Sequence, residues 1–289
     1  MIKNLPFRGG GVLCAADIGA LTVLNGKGML SSVERVAGTS AGAFMGALFT
    51  VGYTPDQLYQ IMLALDFMSF LDSTNIFKET GEILSERHGL HSGDFFQHWI
   101  ENLIAAKTRP LATFRDLHEE GLPDLSIVTN YVNEGDIVVC NYQSTPDVIV
   151  SEACRASMSI PIIFDRFVFT KGFNPTQGFQ DGGLQLNYPI SLFDGYPEEE
   201  TLGLFLHDVQ NKQPPIVIDG LLSYGRATFE SIMNAQNAIF FNTAKWVRQT
   251  IVIDNLGISA TNFAISVMDK SRLYNSGINC ATQHNFSQS

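Results

Sequence analysis

Short apolar runs alternate with longer runs of helical spacing along most of the chain. Ala15 to Leu24 places Ile18, Leu21, Val23 and Leu24 on helical spacing, and Gly26 and Gly28 are positioned to end the helix. Val33 to Ala37 reads as a short strand. Ala41 to Phe49 is a small-residue, apolar segment suited to a buried helix, with Gly52 placed to stop it. Thr54-Pro55-Asp56 then offers a cap with proline in the first helical position. Residues 55 to 107 read as mostly helical, broken by a loop between Ser69 and His91. Phe67, Met68, Phe70, Leu71, Ile76 and Phe77 lie in or beside that loop, either as core filling or as a lid or membrane-touching patch. Leu125 to Val128, Asp136 to Cys140, Leu202 to Leu206 and Ile251 to Ile253 are β-rich. Val150 to Met158 reads as a helix entered from Asp147 and stopped before Pro161, and a long helix is predicted from Leu221 to Arg248. Strands alternating with helices predict an α/β fold, a largely parallel sheet covered on both faces.

Composition narrows the picture without changing it. The chain has 289 residues, 45% of them hydrophobic and 16% charged, and no repeat or long linker divides it, so one domain over residues 1–289 is expected. A formal net charge of −11 argues against a nucleic-acid partner, which needs basic surface, and against simple electrostatic attraction to anionic lipid. The N-terminus shows no ordinary secretory signal, and no apolar run reaches the length of a membrane span. A cytoplasmic or peripheral membrane location is expected, with signal-independent export open. Cys14, Cys140, Cys154 and Cys280 form no CxxC pair, so buried free thiols are expected rather than a metal site or disulfides.

The chemistry concentrates in three places. Gly38-Thr39-Ser40-Ala41-Gly42 puts one serine between glycines at the passage from strand to helix, the pattern of a nucleophile elbow. Gly9-Gly10-Gly11 lies just before the first helix, where backbone amides can approach a developing oxyanion; the Ala41 amide would add another donor. For the base, the residues leave two options. Asp181 with His207 or His284 satisfies the order of a Ser-His-Asp hydrolase. Alternatively Asp181, in Asp181-Gly182-Gly183, acts directly on the serine if burial raises its basicity.

Taken in order, Gly9-Gly10-Gly11, Gly19 and Leu21, the segment from Gly38 to Gly42, and Asp181-Gly182-Gly183 resemble the patatin-like phospholipase family. Ala153 to Pro161 and Asn187-Tyr188-Pro189 resemble the segments that flank the family's aspartate. The resemblance implies a three-layer α/β/α sandwich with a mostly parallel central sheet. It implies a lipid acyl hydrolase with Ser40 as nucleophile and Asp181 as its base, without a catalytic histidine, metal or other cofactor. Gly10 and Gly11 would supply oxyanion amides, with Gly9 shaping the turn and Gly38, Gly42, Gly182 and Gly183 supporting the motifs. The substrate implied is a glycerophospholipid or related acyl lipid, met by peripheral membrane contact through the Phe67 to Phe77 loop or the Leu221 to Trp246 helix. One departure stands out: Leu13 and Cys14 occupy the places where the family usually has a cation and a glycine after the triplet. A histidine-dependent esterase and a weakly active lipid-binding protein are the alternatives.

Overall fold

In a computed structural model, residues 1–72, 88–210 and 213–286 are described. In chain order they form β1 (Asn4–Phe7), α1 (Ala15–Gly26), β2 (Arg35–Thr39), α2 (Ala41–Thr50), α3 (Pro55–Ala64), β3 (Gly89–His91), α4 (Asp94–Ala105), α5 (Phe114–Glu119), β4 (Asp124–Tyr131) and β5 (Asp136–Cys140). The second half adds α6 (Val150–Ser157), β6 (Ile162–Phe164), β7 (Phe179–Asp181), β8 (Gly203–His207), α7 (Leu221–Asn242), α8 (Ala244–Arg248), β9 (Thr250–Asp254) and α9 (Val267–Gln283).

The interior strands β1, β2, β4 and β8 are buried over most of both faces, as expected for a sheet covered by helices. The sheet runs β5-β4-β2-β1-β8-β9, parallel from β4 to β9, and is flanked by helices. Antiparallel β5 covers one edge of β4. On the other edge β2 stops with Thr39 opposite Val128, and antiparallel β7 takes over with Asp181 opposite Thr129. That handover brings the two motif loops together. β3 and β6 form a separate parallel pair.

The expected helices start and stop close to their signals. Thr54 caps α3 with a capping box and Pro55 in the first turn, and Gly52 has φ +86. Other expectations need correction. β2 begins at Arg35 rather than Val33, and the helix from Leu221 to Arg248 breaks at Thr243 into α7 and α8. Phe67 and Phe70 are buried, Phe70 with its ring 5.1 Å from Phe96, which supports the core reading of that end of the loop. Ile76 and Phe77 lie outside the described residues. No helix among the described residues is long and apolar enough to cross a membrane.

Candidate active site

The turn between β2 and α2 is a tight one. Ser40 sits at φ 54, ψ −127, a conformation that costs a non-glycine residue strain. The flanking glycines are demanded by space: a Cβ on Gly38 would lie 2.1 Å from Gly42 O, and one on Gly42 would lie 2.5 Å from Phe7 O. The Ser40 N–H donates to Ser157 Oγ (2.7 Å), whose hydroxyl donates in turn to Val128 O (2.6 Å). The end of α6 thereby ties the turn to β4.

Because β7 replaces β2 along β4, Asp181 arrives beside Ser40. The Ser40 hydroxyl donates to Asp181 Oδ2 at 2.7 Å, and the Gly183 N–H donates to Oδ1 at 2.7 Å. Asp181 is fully buried. Desolvation pushes its carboxyl up to about 7, against the pull of those two donors, which favour the charged form. No histidine enters this arrangement. His207 ends β8 with its ring 4.9 Å from Phe241, and His284 packs 5.0 Å from Phe286. Among the described residues no group of three or more His, Cys, Asp or Glu could hold a metal ion.

The glycine loop divides its tasks. The Gly9 N–H already donates to Asn187 O (2.8 Å), so Gly9 is not a free oxyanion donor, a correction to the expected set that leaves it the turn-shaping task. The amides of Gly10 and Gly11 have no hydrogen-bond acceptor among the described residues, and Gly11 adopts φ +52. The Ala41 amide opens the first turn of α2, where an N–H has no intrahelical acceptor. Asn187 Nδ2 donates to Gly9 O (3.2 Å). Gln236 of α7 then accepts from the Asn187 N–H (2.8 Å) and donates to Gly183 O (2.7 Å).

The cation missing after the triplet is found before it. Leu13 and Cys14 are buried in the turn that opens α1, and burial drives the Cys14 thiol well above its ordinary pKa. Arg8, at the end of β1, is 5% exposed; its guanidinium donates to Gly9 O (2.9 Å) and Asn237 Oδ1 (3.0 Å) and lies 4.7 Å from the Phe205 ring. Desolvation lowers its pKa to about 10, which leaves it charged at neutral pH. It faces a cavity of about 650 Å³ that Leu13, His207, Glu230 and Asn237 also line. The sequence carried two unused signals here: a lone arginine abutting the triplet, and two adjacent carboxamides, Gln236 and Asn237, in the second half of the amphipathic helix α7.

Comparison with known proteins converges with this geometry. The patatin-like phospholipase family profile matches residues 5–194, which includes both motif loops. The chain belongs to the patatin-like phospholipase family, and so to the lipid acyl hydrolases. It is 29% identical over 281 residues to the uncharacterized protein YqhO of Bacillus subtilis strain 168, covering 94% of each chain. It is 24% identical over 199 residues to a probable lipid hydrolase of Invertebrate iridescent virus 6, covering 69% of this chain and 66% of that protein. The fold is that of VipD from Legionella pneumophila, with a TM-score of 0.64 at 17% identity over 98% of this chain and 66% of that one.

Proposed function

We propose that this chain is a phospholipase A-type enzyme, one catalytic domain that cleaves the carboxylic esters of glycerophospholipids through a Ser40–Asp181 dyad. The observation that carries the reading is the direct 2.7 Å hydrogen bond between Ser40 Oγ and a buried Asp181 whose pKa is raised to about 7. Asp181 takes the hydroxyl proton as Ser40 attacks the ester carbonyl. The amides of Gly10, Gly11 and Ala41 hold the resulting oxyanion, and the leaving alcohol departs with the proton that Asp181 held. Water then attacks the acyl ester and regenerates Ser40.

Arg8 favours a phospholipid over a neutral acylglycerol. A buried guanidinium facing a cavity beside the glycine loop is suited to the phosphate of a headgroup. Membrane contact would rest on apolar surface rather than charge. Phe229, Met233 and Phe240 of α7 are core, but Leu221, Tyr224 and Ile239 of the same helix are exposed, as are Val217 and Ile218 just before it. A serine-reactive fluorophosphonate tests the nucleophile: labelling that persists in Ser40→Ala removes the assignment. Acyl release from mixed lipid vesicles separates an enzyme from a module that only binds lipid.

A further inference from the structure

Asn187 is 1% exposed, yet its Oδ1 has no hydrogen-bond partner among the described residues. The orientation of the amide is fixed by its neighbour: Gly9 O can only accept, so the NH₂ end must face it, and turning the amide over would oppose two acceptors at 3.2 Å. A buried acceptor left unpaired costs on the order of 1–3 kcal/mol, so its place in the structure calls for a reason.

Two glycines locate that oxygen relative to the dyad. A Cβ on Gly9 would lie 2.2 Å from Asn187 Oδ1 and 3.1 Å from Ser40 Cβ; one on Gly183 would lie 2.9 Å from Asn187 Oδ1 and 2.9 Å from Asp181 Oδ1. The unpaired acceptor therefore lies close to both the nucleophile and the base. Neither Gly9 nor Gly183 has a positive φ. What these positions require of glycine is the close approach of Oδ1, which a side chain at either would push away from the dyad. Gln236 fixes the residue from behind by accepting its N–H and binding the Gly183 carbonyl.

We infer that Asn187 is a positioning residue for deacylation, its Oδ1 accepting a hydrogen bond from the water that attacks the Ser40 acyl ester. The inference rests on the acyl-enzyme reading of Ser40 and goes beyond it. In that step the water oxygen bonds to the acyl carbon while one of its protons passes to Asp181 and the other is held by Asn187 Oδ1. The tetrahedral adduct then collapses, the bond from carbon to Ser40 Oγ breaks, and Asp181 returns the proton to Ser40 as the carboxylic acid leaves. Acylation uses no water, so it does not need this acceptor.

That asymmetry supplies the test. Wild type, Asn187→Leu and Asn187→Ser are turned over on p-nitrophenyl butyrate, quenched at steady state and weighed intact to give the fraction of enzyme carrying butyryl. Turnover of the variants is expected to fall about tenfold, with the ratio of acylated to free enzyme rising by a similar factor. Hydroxylamine, a stronger nucleophile, should accelerate the variants at least about fivefold more than the wild type; this ratio reads the same partition if the wild type already rests as acyl-enzyme. If Asn187 only splints the glycine loop, both half-reactions slow together, and an unchanged partition overturns the inference. Unchanged turnover overturns it as well. Should the leucine variant fail to give a cooperative melt, the serine variant carries the measurement. A wild type that is never acylated at Ser40 refutes the dyad reading, and this inference with it; a wild type acylated at Ser40 with an unaltered partition in the variants sinks the inference alone.

Discussion

Asp17 in the first turn of α1 and Asp181 at the end of β7 are both fully excluded from solvent, and burial raises the pKa of both. They differ in what surrounds the carboxylate. Neither oxygen of Asp17 has a hydrogen-bond partner among the described residues, and its carboxyl is held well above the ordinary range, with only the charge of Arg8 working against desolvation. Asp181 has one donor on each oxygen, which holds it to about 7. Burial alone makes a carboxyl that keeps its proton; burial with two aimed donors makes one that can both take and return a proton near neutral pH. In this fold the difference comes from position. No donor among the described residues reaches Asp17, whereas the Ser40 hydroxyl and the Gly183 amide, each just past a strand end, are both aimed at Asp181.

The largest effect tests that contrast directly. Asp181→Asn is expected to lower kcat on a phospholipid by about a thousandfold or more, while Asp17→Asn, which mimics a neutral acid, changes it by less than about twofold. Initial rates on vesicles, with melting curves to verify folding, check both; equal losses would break the comparison. Next in size is Arg8→Gln. We expect kcat/KM to fall roughly tenfold or more on phosphatidylcholine and distinctly less on an uncharged short-chain ester, and parallel losses would make Arg8 structural only.

The pH profile sharpens the same comparison. Asp181 must be unprotonated to accept from Ser40, so kcat/KM should rise with pH and level off above about 7, losing about tenfold for each unit below it. Asp17→Asn should leave that midpoint in place. Stability runs the other way. A carboxyl whose pKa is raised on folding from 3.8 to about 7 keeps its proton longer in the native state, so its contribution is complete below pH 3.8 and is lost as pH rises to about 7. The loss is of order 4 kcal/mol. Asp181→Asn should therefore unfold at higher denaturant concentration than the wild type at pH 8, and chemical denaturation at several pH values measures the crossover.

The parts legible in the sequence are those whose determinants are local. Ser40 and the glycines around it must occur together because the turn is steric, and Thr54-Pro55 caps α3 by its own side chain and ring. What was not legible depends on partners far along the chain. β7 is three residues long and exists because β4 outruns β2, which no local pattern in Phe179–Asp181 records. Gln236 reaches Asn187 and Gly183 from a helix whose periodicity only marks it as amphipathic. The setting of Arg8 is not legible locally either, because only the course of β1 turns its guanidinium toward α7. The engagement of the Gly9 amide is equally non-local, because its acceptor, the Asn187 carbonyl, comes from far along the chain.

The backbone at Ser40 has a cost the chain could have avoided. At φ 54 the position suits glycine, and two of its close neighbours in the motif are glycine already. Ser40→Gly should keep the fold and gain about 1 kcal/mol in stability, read as a raised melting temperature, while abolishing turnover. A hydroxyl maintained against the preference of its own main chain is thermodynamic testimony to use: folding alone would have selected a different residue there.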